Sequence, residues 1–189
     1  MKIEVGVSNR HIHLKKETFE YLFGNVELKK YKVLKQPGEF ASEYVVTIKT
    51  DKSFIERVRV MGPFRDYNQI EISKTDSIKL GINPPVRTSG DLKGAQSITV
   101  INENKELYLE NAVIIANRHI HISKEKALAL KVNNDDVTSV YIEGEKGGIL
   151  SDVHYKVGDN SYFELHLDTD DGNAFLLSQN DEVELLDEN

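Results

Sequence analysis

Asn9-Arg10-His11-Ile12-His13 and Asn117-Arg118-His119-Ile120-His121 are one pentapeptide written twice in the same chain. Each copy follows a β-branched run, Ile3-Glu4-Val5-Gly6-Val7 before the first and Val113-Ile114-Ile115 before the second. Branching at Cβ suits the pleated surface of a strand. Residues i and i+2 of a strand share a face, so each His-Ile-His holds two imidazoles ~6.6 Å apart on one side. The two copies contain four of the six histidines. Two imidazoles on one face can converge on a metal ion. Two such pairs predict two ions, or two halves of a duplicated unit.

Outward from these segments the chain reads as strands with a few short helices. Strands are expected at 44–48, 57–60, 69–73, 97–101, 137–142, 149–157, 162–168 and 182–186, where residues alternate or are rich in β-branched and aromatic types. Asn102 to Lys105 is a hairpin turn. Lys15 to Phe23, closed by Gly24, and Ser123 to Leu130, with Ser123 as N-cap, are the helices. Gly81 to Gly94, with Pro84-Pro85 and Ser89-Gly90, reads as a linker.

The repeat extends beyond the pentapeptide. Ile70-Glu71-Ile72 is followed by Thr75-Asp76, and Leu165-His166-Leu167 by Thr169-Asp170. Period two puts Gln69, Glu71 and Ser73 on one face, and Glu164, His166 and Asp168 on the matching face. The fold expected is mainly β with short helices: two similar small β-barrels related by a pseudo-twofold. Residues 1–88 form the first half and 89–189 the second, with exchange of strands between them left open.

A chain of 189 residues can bury a real core in one or two domains but is short for a (β/α)₈ barrel of ~250 residues. The net charge of −7 argues against a general nucleic-acid binder, which needs a basic footprint. No cysteine is present, which removes disulfides, iron–sulfur clusters and thiolate catalysis by the protein. Thiol chemistry would have to come from a substrate. No apolar run approaches the ~18 residues of a membrane span. The N-terminus enters a strand at once, without a signal or targeting extension, so the cytoplasm is the expected location.

Three protein ligands leave zinc a fourth position for water or substrate. His11, His13 and Glu71 offer such a set, and His119, His121 and His166 repeat it. A solvated strand face is the competing reading of any single His-x-His. Glu17 and Glu125 each follow the second histidine by four residues, as in cupin metal sites, but they open predicted helices, where an acid suits the helix dipole. His154, among Asp152, Tyr155 and Lys156, reads as a surface residue. Arg65 follows a glycine–proline turn, six residues before Glu71. Its guanidinium can grip phosphate with a planar fork. Arg10, Arg118 and Arg87 add positive charge nearby, and Lys52 and Arg59 suit the phosphates of a nucleotide.

Val7-Ser8-Asn9-Arg10-His11-Ile12-His13-Leu14, Gly62-Pro63-x-Arg65, Gln69-Ile70-Glu71, Pro85-Val86-Arg87-x-Ser89-Gly90, Arg118-His119-Ile120-His121 and His166-Leu167-Asp168-Thr169-Asp170-x-x-Asn173-Ala174 together resemble the PduL-type phosphate acyltransferases. The resemblance covers nearly the whole chain. It implies two β-barrels and two Zn²⁺ ions, with other divalent metals open. It also implies transfer of a short acyl group between coenzyme A and inorganic phosphate through an acyl phosphate. By motif position His11, His13 and Glu71 would hold one zinc, and His119, His121 and His166 the other. Arg65 would be the catalytic, phosphate-binding arginine. Val7, Ser8, Asn9, Lys52, Arg59 and Asn173 would contact coenzyme A. The chain departs from the pattern in two places: the usual small residue after the Asp-Thr-Asp segment is here Gly172, following Asp171 rather than glutamate, and His154 stands where arginine is expected. Microcompartment members carry an N-terminal extension that this chain lacks, so a free form is expected, with a homo-oligomer left open. A bicupin-like oxygenase or isomerase and a non-catalytic metal-binding protein are the alternatives.

Overall fold

The computed structural model describes residues 1–186. The strands and helices run β1 (Lys2–Ser8), β2 (His11–His13), α1 (Lys16–Phe23), β3 (Lys30–Val33), β4 (Phe40–Lys49), β5 (Phe54–Gly62), β6 (Gln69–Glu71), α2 (Lys74–Leu80), β7 (Val86–Arg87), β8 (Gln96–Asn102), β9 (Lys105–Ala116), β10 (His119–Ser123), α3 (Lys124–Leu130), β11 (Val137–Ile142), β12 (Gly148–Gly158), β13 (Glu164–Asp168), α4 (Thr169–Ala174) and β14 (Glu182–Leu186). The chain is mainly β and parts into two compact units. One holds Met1–Asn9 with the described residues from Asn117 to Leu186; the other is Arg10–Ala116.

The first of these units is a closed six-stranded barrel in the order β1-β13-β10-β12-β11-β14. β1 lies parallel to β13 and antiparallel to β14, closing the ring. Its core alternates along each strand: Ile3 and Val5 on β1, Ile120 and Ile122 on β10, Leu165 and Leu167 on β13. In the other unit β4 pairs with β5, β5 with β2, β2 with β6, β6 with β9, β9 with β8, and β8 with β4. That is again a closed ring of six, with β3 added beside β4 and β7 beside β9. Ile12, Val46, Ile48, Val58, Val60, Ile70, Val100 and Val113 fill it. Closure removes the open sheet edges that would otherwise invite aggregation.

The two rings match strand for strand. β10–β13 is antiparallel and β10–β12 parallel, as are β2–β6 and β2–β5. The β1–β13 ladder sets Val5 opposite Leu165 and Gly6 opposite His166. The β6–β9 ladder sets Val113 opposite Ile70 and Ile114 opposite Glu71. The units therefore follow pairing rather than chain order. The strand before the first pentapeptide completes the barrel that holds the second, and the strand before the second completes the barrel that holds the first.

The helices follow their caps. Ser73 accepts from the backbone N–H of Asp76, Ser123 from that of Lys126, and Asp168 from that of Asp171, filling donors that each first turn leaves open. Residues 169–174 carry no periodic apolar stripe, so α4 shows in the sequence only through its cap. Residues 81–94 are not a loose linker. β7 pairs with β9, and Gln69 accepts from the Gly90 N–H, which holds the segment inside its own unit. Among the described residues no helix is long and apolar enough to cross a membrane.

Candidate functional site

Each His-Ile-His strand turns its isoleucine, Ile12 or Ile120, into a barrel core and both histidines to the other face. The antiparallel neighbour brings the third candidate ligand. His11 stands opposite Glu71 and His13 opposite Gln69. His119 stands opposite His166 and His121 opposite Glu164. The structure thus brings together both predicted triplets: in each, one ligand atom per residue lies within 4.8 Å of the others.

The donor geometry fits a small, nitrogen-loving cation. His119 Nδ1 lies 2.9 Å from the Asn117 carbonyl, which places the proton on Nδ1 and leaves Nε2 as the lone pair. His119 Nε2 and His121 Nε2 are 3.2 Å apart. Tetrahedral zinc with Zn–N of ~2.0–2.1 Å separates two nitrogens by ~3.3 Å. In the first centre His11 Nε2 lies 3.5 Å from Glu71 Oε2. His13, His119 and His121 are buried, so their imidazoles are not a solvated strand face.

A second repeated device stands behind each centre. The arginine before each His-Ile-His reaches the helix that follows the third ligand. Arg10 Nε donates to Asp76 Oδ2 at 2.7 Å. Arg118 grips Asp171 with Nε and Nη2 at 2.9 and 2.8 Å and donates from Nη1 to the Ser151 carbonyl. Asp171 holds the Arg118 guanidinium above its ordinary pKa. Burial pushes the Asp168 carboxyl up, opposed by the backbone N–H bonds it caps. Arg10 and Arg118 therefore serve internal ion pairs; they are not the spare positive charge that the sequence suggested. Arg87 is likewise engaged, near Asp91 and donating to the Lys93 carbonyl.

Arg65 follows the Gly62–Pro63 turn, and its backbone N–H bonds to the carbonyl of Leu14, next to His13. Its Nη2 pairs with Glu39 Oε1 at 2.5 Å, a partner that lies 26 residues away and that no local pattern announces. Its buried Nε has no hydrogen-bond partner among the described residues. Arg59, opposite His11 on β5, donates to the Ser42 carbonyl and lies over the Tyr31 ring. Lys52 is exposed in the β4–β5 turn, its stem against Gly81. Val7 and Ser8 end β1 and Asn9 follows them. Asn173 is exposed on α4, and Gly172 beneath it packs against Val7, where a Cβ would come within 3.2 Å of a valine methyl.

His154 is not a plain surface residue. It is half-buried and stands directly opposite His119 in the β10–β12 ladder, with Nε2 3.4 Å from Asp152. Glu17 and Glu125 are exposed in the first turns of α1 and α3 and lie outside both converging groups, so the cupin-like ligand set does not form.

A family model described as phosphate propanoyltransferase matches residues 4–178. The chain belongs to this family. It is 46% identical over 187 residues to the phosphate propanoyltransferase of Thermotoga maritima, covering 98% of this chain and 89% of that one. It is 44% identical over 173 residues to that of Salmonella typhimurium, covering 91% and 82%. It is 40% identical over 185 residues to that of Rhodopseudomonas palustris, covering 97% and 82%. Membership makes the chain an acyltransferase by class, and the bicupin and non-catalytic readings are not favoured.

Proposed function

We infer that the protein interconverts a short-chain acyl-CoA and inorganic phosphate with an acyl phosphate and coenzyme A, using two zinc ions. The observation that carries this reading is the recurrence of a cluster of three converging, partly or fully buried ligand side chains, once in each unit, in a chain of the phosphate propanoyltransferase family. His11, His13 and Glu71 would hold one ion, and His119, His121 and His166 the other. Bound zinc supplies a Lewis acid that deprotonates a coordinated thiol and polarises phosphoryl oxygens.

The chain's own residues do the rest. Zinc held by His11, His13 and Glu71 would favour the thiolate form of the coenzyme A sulfur, the form in which a thiol attacks. Arg65 binds the phosphoryl group, its guanidinium steadied by Glu39. Val7, Ser8, Asn9, Lys52, Arg59 and Asn173 contact the coenzyme. A sulfur–carbon bond forms at the acyl carbonyl, the carbon–oxygen bond to phosphate breaks, and the electron pair leaves with inorganic phosphate. With no cysteine to carry the acyl group, transfer is direct.

The test is formation of acetyl-CoA and propanoyl-CoA from the corresponding acyl phosphates. Activity should vanish with chelator and return with added zinc. Metal-replete protein that turns over neither substrate would refute the assignment.

A further inference from the structure

Behind each third ligand, two residues earlier on the same strand, stands a buried polar side chain whose chemistry is the complement of that ligand. In the first centre the ligand is a carboxylate, Glu71, and its neighbour is an amide: Gln69 Nε2 donates to Glu71 Oε1 at 2.7 Å. In the second centre the ligand is an imidazole, His166, and its neighbour is a carboxylate: Glu164 Oε2 lies 2.7 Å from His166 Nε2. Gln69 is completely buried and Glu164 is 3% exposed. Each stands opposite the second histidine of its centre, Gln69 opposite His13 and Glu164 opposite His121.

We propose that Gln69 and Glu164 are matched positioning residues, each chosen for the third ligand it orients, so that ligand and partner can be exchanged between the centres only together. The inference rests on the two-metal reading above. The 2.7 Å contact with Glu164 Oε2 engages His166 Nε2 and leaves Nδ1 as the ring nitrogen turned to an ion. A carboxylate ligand needs the reverse: a donor that holds one oxygen and leaves the other for the ion, which an amide provides and a second carboxylate would repel. Gln69 is itself locked, because its Nε2 also meets Ser89 Oγ and its Oε1 accepts from the Gly90 N–H. The exchange also equalises charge: each group of four (His11, His13, Glu71, Gln69; His119, His121, His166, Glu164) contains one carboxylate.

The neighbouring strand is shaped for the second pair. Gly6 stands opposite His166, and a Cβ there would lie 3.0 Å from both Glu164 Cδ and His166 Cδ2. The matching position in the other barrel, opposite Glu71, is Ile114. Glycine at this point leaves room for an imidazole and a carboxylate side by side.

The experiment is a partner swap read by metal binding. Zinc affinity and stoichiometry are measured by competition with a chromophoric chelator, on wild-type protein and on E164Q, H166E, E164Q/H166E and G6A. Wild type should bind two ions. Loss of an outer-sphere partner of this kind weakens a site by about 10–100-fold, and E164Q should weaken one of the two ions by that factor. H166E, which sets two carboxylates side by side, should lose that ion. The double variant E164Q/H166E, which rebuilds the first centre's pair in the second, should bind it more tightly than H166E by at least about tenfold. G6A should weaken the same ion. The converse series at the first centre, E71H/I114G against Q69E/E71H/I114G, with glycine opening the same room opposite the third ligand, carries the same comparison should the first double variant not fold. E164Q with wild-type affinity, or double variants that bind no better than their single parents, would overturn the proposal while leaving the two-metal reading intact. A wild-type protein that binds one ion or none would overturn that reading and this inference with it.

Discussion

Arg10→Ala should destabilise the protein more than Asp76→Ala, although both delete the same ion pair. Asp76 Oδ2 accepts from Arg10 Nε at 2.7 Å, and the Asp76 side chain is 6% exposed against 33% for Arg10. Removing the arginine leaves a carboxylate buried without its cation, and breaking a buried pair in this way costs about 3–5 kcal/mol. Asp76 also lies in the first turn of α2, where the helix end favours its charge, so a value of about 3 kcal/mol, the low end, is expected. Removing the aspartate leaves a guanidinium already one-third in water. That loss is nearer a single charged hydrogen bond less its screening, about 1.5 kcal/mol. At about 2–4 °C per kcal/mol for a chain of this length, Tm should fall by roughly twice as much for Arg10→Ala as for Asp76→Ala. Thermal and urea unfolding of both single variants and the double variant would measure this. The double should cost no more than Arg10→Ala, because no buried charge is left alone. An Asp76→Ala loss equal to or larger than the Arg10→Ala loss, or a double equal to the sum of the singles, would refute the reasoning. The repeated pair is the internal control. Asp171 is 23% exposed and can be rehydrated, so Arg118→Ala should cost less than Arg10→Ala, about 1–2 kcal/mol.

His11→Ala and His119→Ala should each lose one of two bound ions and nearly all activity; elemental analysis of protein purified without added metal checks the count, and full activity with well under one ion per chain would contradict it. Arg65→Lys keeps the charge but not the fork, so it should raise the KM for phosphate and lower kcat when acyl-CoA is consumed; unchanged values would remove Arg65 from the site. Initial-rate plots with both substrates varied should intersect, as for a ternary complex. Parallel lines, or isotope exchange between phosphate and acyl phosphate without coenzyme A, would indicate a covalent acyl-enzyme.

The two converging groups of three side chains were legible because their signal is local. His11 and His13, or His119 and His121, share a face by the period of a strand, and that period holds whatever the strand packs against. Glu71 and His166 were found by comparing the two halves. The helices α1 and α3 were marked by an apolar stripe or a cap. By contrast α2 and α4 were missed: Ser73, the N-cap of α2, reads as the end of the strand that in fact stops at Glu71, and the 6 residues of α4 are too few to show a helical period.

What the sequence by itself determined is which side chains share a strand face, and so which could meet on one ion. Only the tertiary structure decided which strands lie side by side. β1 pairs with β13, some 160 residues later, and β9 with β6, so each pentapeptide follows a strand of the other barrel. The same long-range pairing set Asp76 against Arg10, Asp171 against Arg118, Glu39 against Arg65 and His154 beside His119. The physical reason is the range of the forces. Alternation along a strand is enforced by backbone geometry over two residues. The partner of a buried charge is settled by desolvation, which requires some opposite charge but does not say where in the chain it lies until the barrels close.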